Sequence, residues 1–498
     1  MRPDWIDPRT WPDRVIALAF ALTAIVIRIP MMRPLTLQLD EHTYLLMGRD
    51  LLNGHLPYTH LWEVKPPLLF VVTALVSLFA QHEIWVVRLA ASLCDVSTAL
   101  LVKLIADRVF AASKPNWLCA VICFAALTTS GTGGALMSET ATLPFIMAGV
   151  YFLCERQPSR VRGYIGGVFF GVATLMRVFP AFPAVAAILA IGAEAIVARV
   201  GDARKALWTT LVFVCLGGAT VLALVLAAYA LAGKLELFYH SVVLAPLAYE
   251  EGGGSGGSTL VAFLRATISG NAMLLTVAFG VGGFVFTALR DRGNWPAWRL
   301  AAMAAAQFVA FTFGPPLTHY FVLLLPFFAI FAAPALRAIF EVLRPPVLRT
   351  GLAALIAAAP MLVSARAAWR AGDAHDTTAE VYSELRAAMQ PGDTLYATSD
   401  YVLYWLLDRD PPHPIVTHAG NLFRPYMFRE LPFGVETSAE LMQRIVATHP
   451  TWIVFSDETD WKYAADTEVG AVLQPVLAAE YEESPAPAGR HIYHLRAD

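Results

Sequence analysis

Charge is scarce in this chain. Only 15% of its 498 residues are Asp, Glu, Lys or Arg, against roughly 25% in soluble domains. With 57% hydrophobic residues and a mean hydropathy of +0.56, that scarcity excludes an ordinary soluble globule. There is no surplus of one sign either. A formal net charge of -3 leaves no nucleic-acid footprint. Cysteine is sparse: Cys94, Cys119, Cys123, Cys154 and Cys215 all lie inside apolar runs. An odd number so placed argues against a disulfide framework and for small buried hydrophobes. No internal repeat is visible, which counts against a secondary transporter.

What the chain has is apolar length. Runs able to cross a bilayer recur at roughly 14–32, 84–107, 116–132, 138–155, 163–178, 180–199, 207–232, 268–289, 297–313, 318–340 and 348–366, about eleven spans. Val15 to Ile27 has the length of a signal-peptide core. However, Asp4, Asp7 and Asp13 dilute its basic flank and Arg28 and Pro30 follow, so it is expected to be an uncleaved first helix. Lys and Arg cluster after alternate helices: Lys103, Arg108 and Lys114; Arg156, Arg160 and Arg162; Arg199, Arg204 and Lys205; Arg290, Arg292 and Arg299; Arg337, Arg344 and Arg349. The positive-inside rule puts these loops in the cytoplasm and the intervening loops outside. Pro66 to Phe79 is apolar but short, and as a span it would invert every later cluster. It is expected to lie in the outer membrane face.

After about residue 370 the character changes. Helical patterns over Ala379–Met389 and Ser438–Ala447 alternate with strand-like runs over Thr394–Thr398, Trp452–Phe455 and His491–His494. The expected organisation is a transmembrane domain over 1–370, with a first outer loop over about 33–83, and a small soluble α/β domain over 371–498. Between the seventh and eighth spans, Glu250–Ser258 reads as a flexible linker rather than a mobile lid.

Candidate functional residues gather in the outer loops. Gln38 to Tyr44 (QLDEHTY) places Asp40 and Glu41 just after the first helix. From Glu41 to Leu52 the pattern is amphipathic: Tyr44, Leu45, Gly48, Leu51 and Leu52 make one stripe, and the carboxylates are expected to rise into a water-filled cavity. Asp40 and Tyr44 are four apart and share a face. Trp62 to Leu68 (WEVKPPL) adds Glu63 and Lys65, the latter a lone cation before two prolines that suits a phosphorylated head group. Glu139 opens a helix in the next outer loop. Arg177 and His319-Tyr320, after Gly314-Pro315-Pro316, stand at other outer ends. Bland readings compete with each: a solvated helix start for Asp40-Glu41, snorkelling for Lys65, a cap for Glu139, an interface anchor for Arg177, and belt residues for His319-Tyr320. Arg88 and Asp95, seven apart on one face of the second helix, read as structural charges that pair with other helices, Arg28 as a cavity residue, and Asp457, Glu458 and Asp460 as a solvated loop. Convergence of ionisable groups at one depth favours function.

An Asp-Glu pair after helix one, a loop ending Glu-x-Lys-Pro-Pro-Leu and an acid in the second outer loop resemble membrane-embedded GT-C glycosyltransferases. They are most similar to the protein O-mannosyltransferase and aminoarabinose-lipid A transferase superfamily (glycosyltransferase family 39-like). The resemblance implies a GT-C fold and transfer of a sugar, with inversion, from a polyprenyl-phosphate donor in the outer leaflet. The acceptor would be a lipid-linked glycan, lipopolysaccharide or protein. It implies a bacterial inner-membrane protein whose active site and C-terminal domain are periplasmic. Asp40 is then the candidate base, with Glu41 orienting or binding acceptor. Lys65 and Arg177, backed by His319 and Tyr320, hold the leaving phosphate. Glu63 and Glu139 bind acceptor or balance charge, and Tyr44 flanks Asp40. Family members differ over a divalent cation (Mg or Mn), for which Asp40, Glu41 and Glu139 are oxygen donors without a spacing signature. A secondary transporter or a non-catalytic envelope-assembly protein remains the alternative.

Overall fold

The apolar runs fold as helices, and their lengths decide what each can do. The computed structural model describes residues 11–496 apart from 131–132, 199–200, 253–257, 270, 314–316, 344, 430 and 457–460. Helices α1 (Trp11–Arg28), α2 (Leu39–Leu52), α3 (Leu68–Ala80), α4 (Ile84–Phe110), α5 (Asn116–Thr129), α6 (Ser138–Leu153), α7 (Arg160–Thr174), α8 (Ala181–Val197) and α9 (Gly201–Leu231) follow in order. After them come α10 (Leu235–Tyr239), α11 (Ala245–Gly252), α12 (Thr259–Ser269), α13 (Asn271–Arg290), α14 (Trp295–Ala310), α15 (Leu325–Val342), α16 (Pro346–Gly372) and α17 (Thr377–Ala388).

Among the described residues, six segments are long and apolar enough to cross a membrane: Asp13–Met32, Ile84–Phe110, Gly201–Leu231, Ala272–Arg290, Thr318–Val342 and Pro346–Ala388. The other five expected spans are the helices α5 to α8 and α14, of 14 to 17 residues. At 1.5 Å per residue these reach about 21–26 Å. The architecture is thus a multi-pass helical membrane bundle. These five, and the 13 residues of α3 at about 20 Å, are all shorter than a ~30 Å hydrocarbon core.

The expected strands form a four-stranded sheet of order β1-β2-β4-β3: β1 (Leu395–Ala397) and β2 (Trp452–Ser456) are parallel, while β3 (Tyr481–Ser484) and β4 (Arg490–Leu495) complete it antiparallel. The strand Tyr481–Ser484 is an addition to the expected set. Its alternation is weak because Glu482 and Glu483 both face water.

Two hydrophobic cores organise the chain. One fills the helix bundle. The other joins Tyr44, Tyr58, Trp62 and Phe70, from the segment between α1 and α4, to Tyr396, Trp405, Ile415 and Phe428 of the C-terminal segment. Trp62 and Trp405 are fully buried there, and loss of an indole from such a place costs about 3–5 kcal/mol.

This second core corrects the reading of α2 as an interfacial amphipathic helix. Every residue from Glu41 to Asp50 is buried. One face meets α3, where Gly48 permits the approach: a Cβ there would stand 2.6 Å from Ala74 N. Another face meets the C-terminal segment, where Thr43 Oγ1 donates to the Thr417 carbonyl at 2.8 Å. Glu41, Thr43 and Arg49 find protein partners, and no water-facing stripe runs along residues 41–50.

The intramembrane charges are paired. Arg28, expected in the cavity, is instead fully buried, 2.6 Å from Asp95 and within 2.8 Å of Thr128 Oγ1. Unpaired, either charge would cost several kcal/mol in a dry interior.

Candidate active site

Asp40 sits in the first turn of α2, where a carboxylate is favoured by the helix dipole. Tyr44, one turn on, donates its hydroxyl to Asp40 Oδ2 at 3.1 Å. Thr73 of α3 holds the Tyr44 carbonyl at 2.7 Å. Burial and the neighbouring carboxylates push the Tyr44 phenol above its ordinary value, so it acts as a donor.

The second partner of Asp40 comes from the far end of the chain. His418 Nε2 lies 3.1 Å from Asp40 Oδ1. The Gly420 backbone N–H donates to His418 Nδ1 at 2.9 Å, so Nδ1 is the acceptor and Nε2 carries the hydrogen. Burial alone would raise the Asp40 carboxyl. The hydrogen bond and charge of His418, with Lys65 and His319 behind it, win and hold it well below the usual carboxylate range. Asp40 is therefore ionised at neutral pH.

Two adjoining hollows open beside it. The larger, about 600 Å³, is lined by Asp40, Tyr44, Glu63, His319, His418 and Asn421, with Arg424 and Leu317 at its edge. The smaller, about 490 Å³, is lined by Arg177, Val178, Phe179, Pro66 and Pro246. Val64, Lys65, Tyr249 and Tyr320 line both. The carboxylates Asp40 and Glu63 thus line the larger hollow, together with Arg424, while Arg177 and apolar walls line the smaller. Lys65 stands between them with no ion pair among the described residues, and its backbone carbonyl is held by the Tyr58 hydroxyl at 2.6 Å.

Behind Lys65, Arg177 is buried against Glu139 at 2.9 Å, and its guanidinium lies 4.5 Å from the centre of the Tyr320 ring. His319 Nε2 is 3.8 Å from the same Glu139 oxygen. Glu139 therefore balances Arg177 rather than Lys65, and Arg177 meets the smaller hollow with its charge already matched. Glu63 is buried, with Asn421 Nδ2 3.5 Å from Oε2.

Of the expected site residues, Asp40, Tyr44, Glu63, Lys65, His319 and Tyr320 are brought together, and Arg177 and Glu139 adjoin them. Glu41 is not. It is fully buried on the opposite side of α2, where it pairs with Arg88 and accepts the Leu136 N–H at 2.6 Å. Consecutive helical residues project about 100° apart, so the pair in sequence is divided in space. Glu41 ties α2 to α4 and to the segment before α6. Asp40, Glu41 and Glu139 consequently do not converge as a set of cation ligands. His418, Asn421, Arg424 and Tyr249 complete the site without having been marked in sequence. The one available signal was a histidine in a stretch rich in proline and glycine, Pro411 to Gly420. The Gly314-Pro315-Pro316 turn, Asp457, Glu458 and Asp460, and most of the Glu250–Ser258 linker lie outside the described residues.

No family model matches the sequence, and no curated protein matches it. Solved structures do. ArnT from Cupriavidus metallidurans bound to undecaprenyl phosphate superposes with a TM-score of 0.60 at 16% identity, covering 99% of each chain. The apo state of that protein gives 0.65 at 16% identity over 97% of this chain and 98% of that one. The Archaeoglobus fulgidus oligosaccharyltransferase tethered to an acceptor peptide gives 0.55 at 15% identity, over 99% of this chain and 75% of that one. The chain has the GT-C fold.

Proposed function

We propose that this GT-C-fold protein is a membrane glycosyltransferase that takes a sugar from a polyprenyl-phosphate donor. The observation that carries the reading is the division at Lys65: an ionised carboxylate on one side, Arg177 and apolar walls on the other. Structural neighbours with undecaprenyl phosphate and with an acceptor peptide support a lipid donor and a second substrate.

The donor phosphate is assigned to Lys65, with Arg177 and Tyr320 behind it and the lipid chain along Val178 and Phe179. The acceptor hydroxyl or amine lies against Asp40, with Glu63 and Asn421 as its polar contacts. Asp40 accepts the acceptor proton as the nucleophile attacks the anomeric carbon. The bond from that carbon to phosphate oxygen breaks, and polyprenyl phosphate leaves with the electron pair, stabilised by Lys65. Attack opposite the leaving group gives inversion. Tyr44 and His418 keep Asp40 aimed and ionised. The charge pattern of the loops supports an outward-facing site and a bacterial inner-membrane location, with a lipid-linked glycan, lipopolysaccharide or protein as acceptor. No step is assigned to a divalent cation.

The test uses purified protein, a panel of polyprenyl-phosphate sugars and an envelope glycolipid extract. Wild type consumes a donor. Asp40→Asn binds donor but does not transfer. Lys65→Ala binds donor about tenfold or more weakly. A wild type that neither binds nor consumes any donor overturns the reading and favours transport or assembly.

A further inference from the structure

At the far end of α2, ten residues and about 15 Å from Asp40, three side chains of ligand type meet outside both hollows. Asp50 Oδ1 lies 2.7 Å from His55 Nδ1 and 2.7 Å from His60 Nδ1. The donor atoms of the three all fall within 4.8 Å of one another, a grouping with no second example among the described residues.

Asp50 is only 3% exposed, and its other oxygen, Oδ2, is buried without a partner. Buried carboxylate oxygens are ordinarily satisfied. No Lys or Arg pairs with Asp50 among the described residues. The adjacent Arg49 turns away to the Tyr404 and Arg409 carbonyls at 2.6 and 2.8 Å and to Asp410. The two imidazoles are 43% and 40% exposed,, which leaves a coordination position open to water.

We infer that Asp50, His55 and His60 bind a zinc ion. Two imidazole nitrogens and one carboxylate oxygen suit zinc, whereas Mg and Ca take oxygen sets. Zinc ligands at about 2.0–2.1 Å in tetrahedral array stand roughly 3.4 Å apart, so the cluster opens slightly on loading. The exposed ring edges permit that. Each imidazole would offer Nδ1 with its ring hydrogen on Nε2, and Asp50 would offer a carboxylate oxygen. No redox change is involved.

The ion would pin the turn that holds Lys65. Tyr58 lies between the two histidines at φ 74°, a conformation that a bulky residue holds only with outside support. Its hydroxyl grips the Lys65 carbonyl.

Full-length protein is stripped with chelator, reloaded with zinc and desalted, and metal is counted by mass spectrometry. Wild type and Asp40→Asn should each retain about one zinc per chain, and zinc should raise the melting temperature. The His55→Ala, His60→Ala double variant should retain none and show no such shift. His60→Cys, loaded with cobalt, should develop a thiolate-to-cobalt absorption band that wild type lacks. That band decides the matter even where the double variant folds poorly. Zinc retention equal in wild type and the double variant, no zinc in wild type, or no thiolate band in His60→Cys would each overturn the inference.

Discussion

Asp40 and His418 are separated by 378 positions in sequence and by 3.1 Å in space. The contact joins the first turn of α2 to an irregular loop of the C-terminal segment. It gives the carboxylate a hydrogen-bond partner in Nε2, while the Gly420 N–H donates to the other ring nitrogen.

Asp40 should stay ionised in mild acid. Its carboxyl is depressed in the folded chain, so it contributes stability above the ordinary carboxylate range, lost as pH falls through the folded value. The difference in melting temperature between wild type and Asp40→Asn should be constant from about pH 7 to pH 5 and narrow below about pH 4. A gap that closes already near pH 6 contradicts this.

Removing His418 should move Asp40 back toward the ordinary range. In His418→Ala the acid limb of the rate profile shifts to higher pH and kcat falls, while donor affinity holds. His418→Gln, which keeps a donor, should recover part of the loss. An unshifted acid limb in His418→Ala would show that the contact does not tune Asp40.

Lys65→Ala should weaken polyprenyl-phosphate binding about tenfold or more, since a hydrogen bond to a charged group is worth ~1.5–3 kcal/mol. Lys65→Arg should restore most of it. Isothermal titration in micelles measures both, and equal affinity for wild type and Lys65→Ala would remove the phosphate assignment.

Glu41→Gln should act on stability instead of chemistry. It leaves the buried Arg88 without its counter-charge, and breaking such a pair costs ~3–5 kcal/mol. The Glu41→Leu, Arg88→Met double variant should be more stable than Glu41→Gln alone. Chemical denaturation checks the order, and donor affinity of the folded fraction should remain at the wild-type level.

The helices, three of the four strands and much of the site were readable in the chain. Apolar length marks the helices, and the spacing of four between Asp40 and Tyr44 foretells their hydrogen bond. Lys65 stood out as a cation beside two prolines. Other features were hidden because they depend on which way a residue points or on distant contacts. Glu41 neighbours Asp40 in sequence but projects to the other side of the same helix. Arg28 lies at the expected depth yet turns to Asp95. His418 belongs to no periodic element, and only the shared core of Trp62, Trp405 and Ile415 carries it to Asp40.

That shared core has a consequence for biosynthesis. The Trp62 N–H donates to the Pro414 carbonyl at 2.9 Å, and Thr417 Oγ1 closes on the Trp62 carbonyl at 2.5 Å. A nascent chain that has reached Gly372 still lacks His418, Asn421 and Arg424 from the walls around Asp40. The site comes into being only when the last quarter of the protein has been translated and folded back onto the segment between α1 and α4. Until then a membrane full of half-made chains carries no finished active site.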